Sequence, residues 1–538
     1  MAVLLVFSAN RKNGPRALQT NRGWGRHAPA GVDLTFMKKR QSSRRLWGGG
    51  AVWLMLGLAA AFAGEPAKEA RIFRAGAALS DVTPELGLPI VGNFEAPLAT
   101  HVHDPLHVRA LVLDDGVQRL AIVVCDNLGM PREVGDEAKR LAQQLTGLTP
   151  AEVLISATHT HSGVSAGAAA ETGYNSGKRE RAPEAQRRGS PAPLTAYQHF
   201  VARRIADTLQ RAINQLEPAR IGWGTGRDGS HVFNRRWFVQ EESDRRNPFG
   251  GIDTVRMNPP SSAVLLKPAG PTDPEISFLS VQAKSGRPIA LYAVYSLHYI
   301  GGVPPGVISA DYFGMFSSRI GELLGADRQD PAFVGMLANG TSGDINNIDF
   351  RHRGTRQPPY EQMTRVANAV SAEVYRAYQG IQHRDWVSLA ARYEELTVGT
   401  RRPSAAMVAR ARAILDGKME GPSWHPREKT YAERLLKLAD GPEMVELPLQ
   451  VFRIGDVGLM SLPVETFVEI GLELKAKAPF KRPIPVSLAN GYSGYLPTVE
   501  QHRLGGYESW MGTNRLEIEA APKIVAALLR MAGEVQEK

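Results

Sequence analysis

Two histidines separated by a single residue, His159 and His161, stand in Ala157-Thr158-His159-Thr160-His161-Ser162-Gly163. On extended backbone, side chains two apart share a face, so both imidazoles can reach one metal ion. A histidine that packs the loop through a hydrogen bond is the other reading of either ring. His101 and His103 form a second such pair, followed by Asp104, and read equally as an exposed turn leading into a strand. A catalytic zinc needs about three N/O ligands from rigid elements and a place for water, whose pKa drops to about 7 on the metal. The remaining ligands must therefore come from distant parts of the chain. His298 closes an apolar run, and Glu465 lies in Leu462-Pro463-Val464-Glu465-Thr466-Phe467. A carboxylate there serves as a ligand or as a first-turn acid of a helix. Cys125 is the single cysteine, which excludes an internal disulfide and a multi-thiolate zinc site. Any metal must be held by His, carboxylate, Tyr or carbonyl.

The elements that would position these groups alternate between strand and helix patterns. Short apolar runs at 109–113, 120–125 and 152–156 read as buried strands, with a helical pattern at 132–145 between the last two. The third run ends at the His-Thr-His loop, the strand-to-loop edge where α/β proteins build sites. Residues 164–190, rich in Ala, Gly, Arg and Ser, read as a solvent-exposed insertion, and 197–215 as a helix. Strand patterns recur at 263–266, 276–283 and 288–297, the last ending at His298, and at 333–337 before Asn339-Gly340-Thr341-Ser342-Gly343-Asp344-Ile345-Asn346-Asn347. A helix at 360–381, one or two more over 405–438, strand at 444–462, a helix beginning at Glu465 and a terminal helix at 518–532 complete the pattern. The fold class expected is α/β, with mixed β-sheets flanked by helices in a single large domain.

The chain has 538 residues, 43% hydrophobic and 22% charged, enough to bury a sizeable core. Its formal net charge of +10 is concentrated in residues 1–63, which hold ten Lys/Arg against Asp33 alone. The remaining body is close to neutral, which argues against nucleic-acid binding, because a phosphate-tracking surface must stay on the folded domain. Met37 opens a basic stretch followed by an uncharged run over 46–63 that ends in Ala61-Phe62-Ala63, the pattern of a cleaved secretory signal. The expected organisation is a non-native extension at 1–36, a signal peptide at 37–63, a short linker at 64–73 and the catalytic domain at 74–538. Secretion or periplasmic export follows, with at most peripheral membrane contact.

Taken in order, Ala75-Gly76 to Asp81-Val82-Thr83-Pro84, the His-Thr-His-Ser-Gly loop, Asn234-Arg235, Leu297-His298, the Thr341 to Asn347 turn, Leu462 to Phe467 and Asn490-Gly491-Tyr492-Ser493-Gly494-Tyr495-Leu496-Pro497-Thr498 resemble the catalytic domain of the neutral/alkaline non-lysosomal ceramidase family. That resemblance implies one Zn2+ held by two histidines, a glutamate and a tyrosine, with water attacking an amide carbonyl. It places the ligands at His159, His298, Glu465 and Tyr495, and a catalytic histidine at His161. It also implies active-site roles for Arg235, for Tyr507 in Gly505-Gly506-Tyr507-Glu508, and for Gly92 as a backbone donor.

Two departures from the family pattern bear on the substrate. Where the family carries an active-site serine after Gly-Asp, this chain has Asn346, which hydrogen-bonds but offers no hydroxyl. The chain also ends at Lys538, so the C-terminal β-sandwich of the larger ceramidases is expected to be absent. The expected activity is hydrolysis of a small-molecule or lipid N-acyl amide, such as ceramide. The alternatives are a non-lipid amide or ester on the same scaffold, and a non-catalytic metal-binding envelope protein.

Overall fold

The runs at 110–113, 120–125 and 289–295 are apolar throughout and buried because both faces of the sheet they form are covered. The computed structural model describes residues 71–92, 96–164, 166, 193–355 and 357–536. The expected extension and signal peptide, all but the end of the linker, and nearly all of the 164–190 insertion lie outside the described residues.

Eight strands make the main sheet: β1 (Arg74–Asp81), β2 (His107–Asp114), β3 (Arg119–Cys125), β4 (Val153–Ala157), β5 (Glu217–Arg227), β6 (Glu275–Ala283), β7 (Pro288–Tyr295) and β8 (Val334–Asn339), in the order β8-β7-β6-β5-β1-β2-β3-β4. The sheet is mixed: β3 with β4 and β7 with β8 run parallel, and the other pairs are antiparallel. The parallel pairs are the ones joined across helices, α1 (Arg132–Thr146) and α3 (Asp311–Leu323). A second sheet has the order β9-β10-β11-β12, formed by Leu389–Gly399, Met444–Ile454, Val457–Leu462 and Arg482–Ser487.

Strand periodicity sorts the core into layers. Leu111, Leu113, Leu120, Ile122 and Val124 face a core shared with Phe452, Ile454, Val457 and Leu459 of the second sheet. The alternate residues Val108, Ala110, Val112, Ala121, Val123 and Cys125 turn the other way, onto α1 and α2 (Ala196–Asn214). The helices α3 and α4 (Glu361–Tyr378) cover the β6-β7-β8 end, and α5 (Val468–Lys477) with the terminal helix (Ala520–Gln536) covers the outer face of the second sheet. The result is four layers, helix, sheet, sheet, helix. Each fully buried Leu, Ile or Phe contributes about 1.5–3 kcal/mol through removal from water, so the two-sided sheets form a rigid base for the loops at their ends.

The sequence expectation of mixed sheets flanked by helices agrees with this architecture. Several elements differ from the sequence reading. The strands β5 and β9 and the helix α3 carry no clear pattern, and the helix expected to begin at Glu465 starts at Val468. Glu465–Thr466 instead forms a two-residue parallel pair with Tyr495–Leu496.

Candidate metal centre and active site

The main sheet curls so that its two edge strands, β4 and β8, approach each other. Asn339 Nδ2, at the end of β8, donates to the Thr158 carbonyl just past β4 (3.3 Å). The loops that leave β4 and β7, carrying His159 and His298, are thereby brought together. His159 adopts a left-handed backbone conformation (φ 73°), with its N–H on the Asn127 carbonyl (2.8 Å). The second sheet is anchored to the same edge. Ala157 N donates to the Leu488 carbonyl (3.0 Å) and Asn490 N to the Ile155 carbonyl (2.7 Å). Glu465 and Tyr495, paired just beyond β11 and β12, complete the ring of side chains. Gly343 N donates to the Thr466 carbonyl (2.7 Å), and a Cβ at Gly343 would lie 2.6 Å from the Glu465 carbonyl oxygen, so only glycine permits this closure.

Three imidazole nitrogens converge. His159 Nε2 lies 3.1 Å from both His298 Nε2 and His161 Nε2. His159 Nδ1 donates to the Leu128 carbonyl (2.6 Å) and His298 Nδ1 to the Ser342 carbonyl (3.0 Å). In the neutral rings this places the lone pair on Nε2, toward the centre of the group. Glu465 Oε2 lies 3.2 Å from His159 Nε2 and 3.7 Å from His298 Nε2, and is buried without a hydrogen-bond partner among the described residues. Its other oxygen accepts from the Tyr492 hydroxyl (2.7 Å). An unsatisfied buried carboxylate oxygen facing inward lone pairs is costly unless a cation lies between them. His159, His161 and His298 together can hold a metal ion, and the Glu465 oxygen adds the negative charge such a site favours.

Burial, reinforced by the neighbouring His159 ring and Arg235, holds His161 well below the usual histidine range. Burial, Arg235 and the other two rings do the same to His298. Both are therefore neutral near pH 7, the form that accepts a proton or a metal. Burial pushes the Glu465 carboxyl up, but His159 and hydrogen bonds from Tyr495 and Tyr492 outweigh it and bring the group below its ordinary value.

Arg235 is buried beside this cluster. Its Nε donates to Glu508 Oε1 (2.8 Å) and a terminal nitrogen donates to the Tyr495 hydroxyl (3.0 Å). Burial opposes its charge, and Tyr495 and Glu508 more than offset that, so it stays firmly protonated. Gly92 (φ 112°) packs on His161, since a Cβ there would sit 2.7–2.9 Å from the imidazole. His161 stacks on Tyr299 at 3.6 Å between ring centroids.

A cavity of about 200 Å³ opens over the cluster, and Gly92, His159, His161, Arg235, His298, Glu465, Tyr495 and Tyr507 all line it. Asn346 does not. It stands one step behind, donating from Nδ2 to Asn258 Oδ1 (2.9 Å), and Asn258 is on the cavity wall. His101 and His103 are elsewhere: His103 stacks on Tyr360, and Asp104 accepts from Ala310 N and Ser309 Oγ, which makes this pair a loop-packing element. Sequence reasoning assigned no role to Tyr492, Tyr299 or Glu508, although Tyr492 and Glu508 stand in motifs quoted above and Tyr299 follows His298; nothing in the order of residues shows what they touch.

No protein-family model matches the sequence, and no curated protein matches it significantly. Among solved structures, the neutral ceramidase from Pseudomonas aeruginosa is similar with a TM-score of 0.61 and 19% sequence identity, over 87% of this chain and 75% of that one. A ceramidase complexed with C2 is similar with a TM-score of 0.61 and 18% identity, over 87% of this chain and 76% of that one. The chain therefore has a ceramidase-like fold.

Proposed function

We propose that the protein is a zinc-dependent hydrolase that cleaves an N-acyl amide of the ceramide type. One observation carries the reading: inward-facing imidazole nitrogens and an unpartnered buried carboxylate oxygen meet at the floor of a cavity, on a ceramidase-like fold. The ligands assigned are His159, His298, Glu465 and the Tyr495 phenol. Zinc bound there would polarise the scissile carbonyl and acidify a water molecule.

The chain's own residues supply the rest. His161, neutral and held between Gly92 and Tyr299, accepts the proton of the attacking water and delivers it to the amide nitrogen as the C–N bond breaks. Arg235, fixed by Glu508, and the Tyr507 hydroxyl on the cavity wall face the oxygen that gains negative charge. Burial of the cluster strengthens these interactions by excluding water. Asn346 acts through Asn258 and shapes the wall rather than relaying a proton.

The test is release of fatty acid from a defined N-acyl amide by the purified protein, with its loss on chelation and return with zinc. A protein that loads zinc but hydrolyses no amide across neutral and alkaline pH contradicts the reading. The leader assignment belongs to the same proposal, and a mature N-terminus near Gly64 checks it. Among the described residues no helix is long and apolar enough to cross a membrane.

A further inference from the structure

A second cavity, of about 330 Å³, adjoins the candidate active site, and Met257 and Tyr507 line both. Val255 and Trp510 give it apolar wall, but its charge is unusual. Arg245, Arg246, Arg256, Arg427 and His425 all line it, against Asp244 and Asp253. Asp253 is committed elsewhere: it accepts from Asn247 Nδ2 (2.9 Å), Gly506 N (2.9 Å) and Trp510 Nε1 (2.7 Å). Arg246 is stacked over Trp424, 4.4 Å from the ring centroid.

Arg256 stands out. It is half-buried, and its Nε is buried with no hydrogen-bond partner among the described residues. Arg245 Nε is in the same condition, although another nitrogen of that guanidinium donates to the Asp253 carbonyl (2.9 Å). A desolvated guanidinium nitrogen without an acceptor is costly, and a fork of such donors matches carboxylate or phosphate oxygens. Burial and the nearby Arg256 also hold the His425 imidazole below its ordinary range, a sign of positive potential within this cavity.

We propose that the second cavity is an anion-recognising subsite, so that the preferred substrate is an amide bearing a carboxylate or another oxyanion on the arm that passes Met257 and Tyr507, with Arg256 as its principal partner. This rests on the amide-hydrolase reading for the reaction but not for the binding, and the two are separated as follows.

Isothermal titration of the full-length protein with N-lauroyl-aminohexanoate and with its uncharged counterpart N-lauroyl-aminohexanol compares ligands that differ only in the terminal group. The anionic ligand binds at least about tenfold tighter, and added salt shrinks the difference. In Arg256→Gln the ratio falls to near one, and in Arg256→Lys it is partly kept. Equal binding of the two ligands by the unaltered protein, or a ratio that Arg256→Gln leaves unchanged, overturns the subsite. Hydrolysis of the same compounds is scored separately. Tight, Arg256-dependent binding without cleavage supports the subsite and contradicts the amide reading.

Discussion

Glu465 and Tyr495 are direct partners across a two-residue parallel β pair, although thirty positions separate them in the chain. The pair holds the carboxylate over His159 and the phenol within reach of Arg235. One backbone register thus aligns two of the assigned ligands and ties the second to Arg235. Tyr495→Phe removes the hydroxyl that Arg235 donates to while keeping the ring. Turnover is expected to fall roughly 10²–10³-fold, the usual loss for one polar contact to the developing charge in such a site, and the melting temperature to drop by a few degrees because a buried Arg235 nitrogen loses its acceptor.

Glu508 bridges two buried arginines, accepting from Arg235 Nε (2.8 Å) and Arg236 (2.7 Å) with no solvent exposure of its own. Removing its charge leaves two guanidinium groups uncompensated in the interior. Glu508→Gln is expected to destabilise the fold by about 3–5 kcal/mol and to reduce turnover through a displaced Arg235. Chemical denaturation alongside steady-state rates checks both effects, and an unchanged midpoint would remove Glu508 from the account.

Gly92→Ala tests the seat of His161. A methyl group there would press on the imidazole, at a backbone φ of 112° that side chains rarely adopt. A shift of about 1 Å costs on the order of 10²-fold in rate, so turnover should drop by that much while metal content stays at the unaltered level. Loss of the metal as well would place His161 among the ligands rather than beside them.

Far from the cavity, Lys139 on α1 is buried, and that burial pushes its ammonium from 10.5 down to about 7, with Asp136 opposing the shift. Between these values the unfolded chain binds a proton that the folded one does not, so stability rises as pH increases from about 7 toward 10. Lys139→Met abolishes this contribution. Denaturant midpoints of the two proteins at about pH 7 and pH 9.5 should diverge in favour of the unaltered chain, on the order of a few kcal/mol; parallel curves would contradict the assignment.

Much of the site was legible because its residues close apolar strands. His159 follows β4 and His298 follows β7, and strands buried on both faces read as unbroken apolar runs. The elements that escaped notice lack that mark: β5 carries Pro218 and three glycines, β9 mixes Arg and Glu into its alternation, and α3 is interrupted by Gly314 and two serines. The sequence pattern starts the helix three residues early because Glu465–Thr466 is held by Tyr495–Leu496, a partner no local pattern announces. The groups that orient the imidazoles, the carbonyls of Leu128 and Ser342, are backbone atoms, and residue identity does not show where they point.

Metal content tests the central claim most directly. Elemental analysis of the purified full-length protein should give about one zinc per chain, and the Glu465→Ala variant, if folded by circular dichroism, should have lost it. A protein purified with zinc available that carries none, or a folded Glu465→Ala variant that retains a full equivalent, would contradict the account.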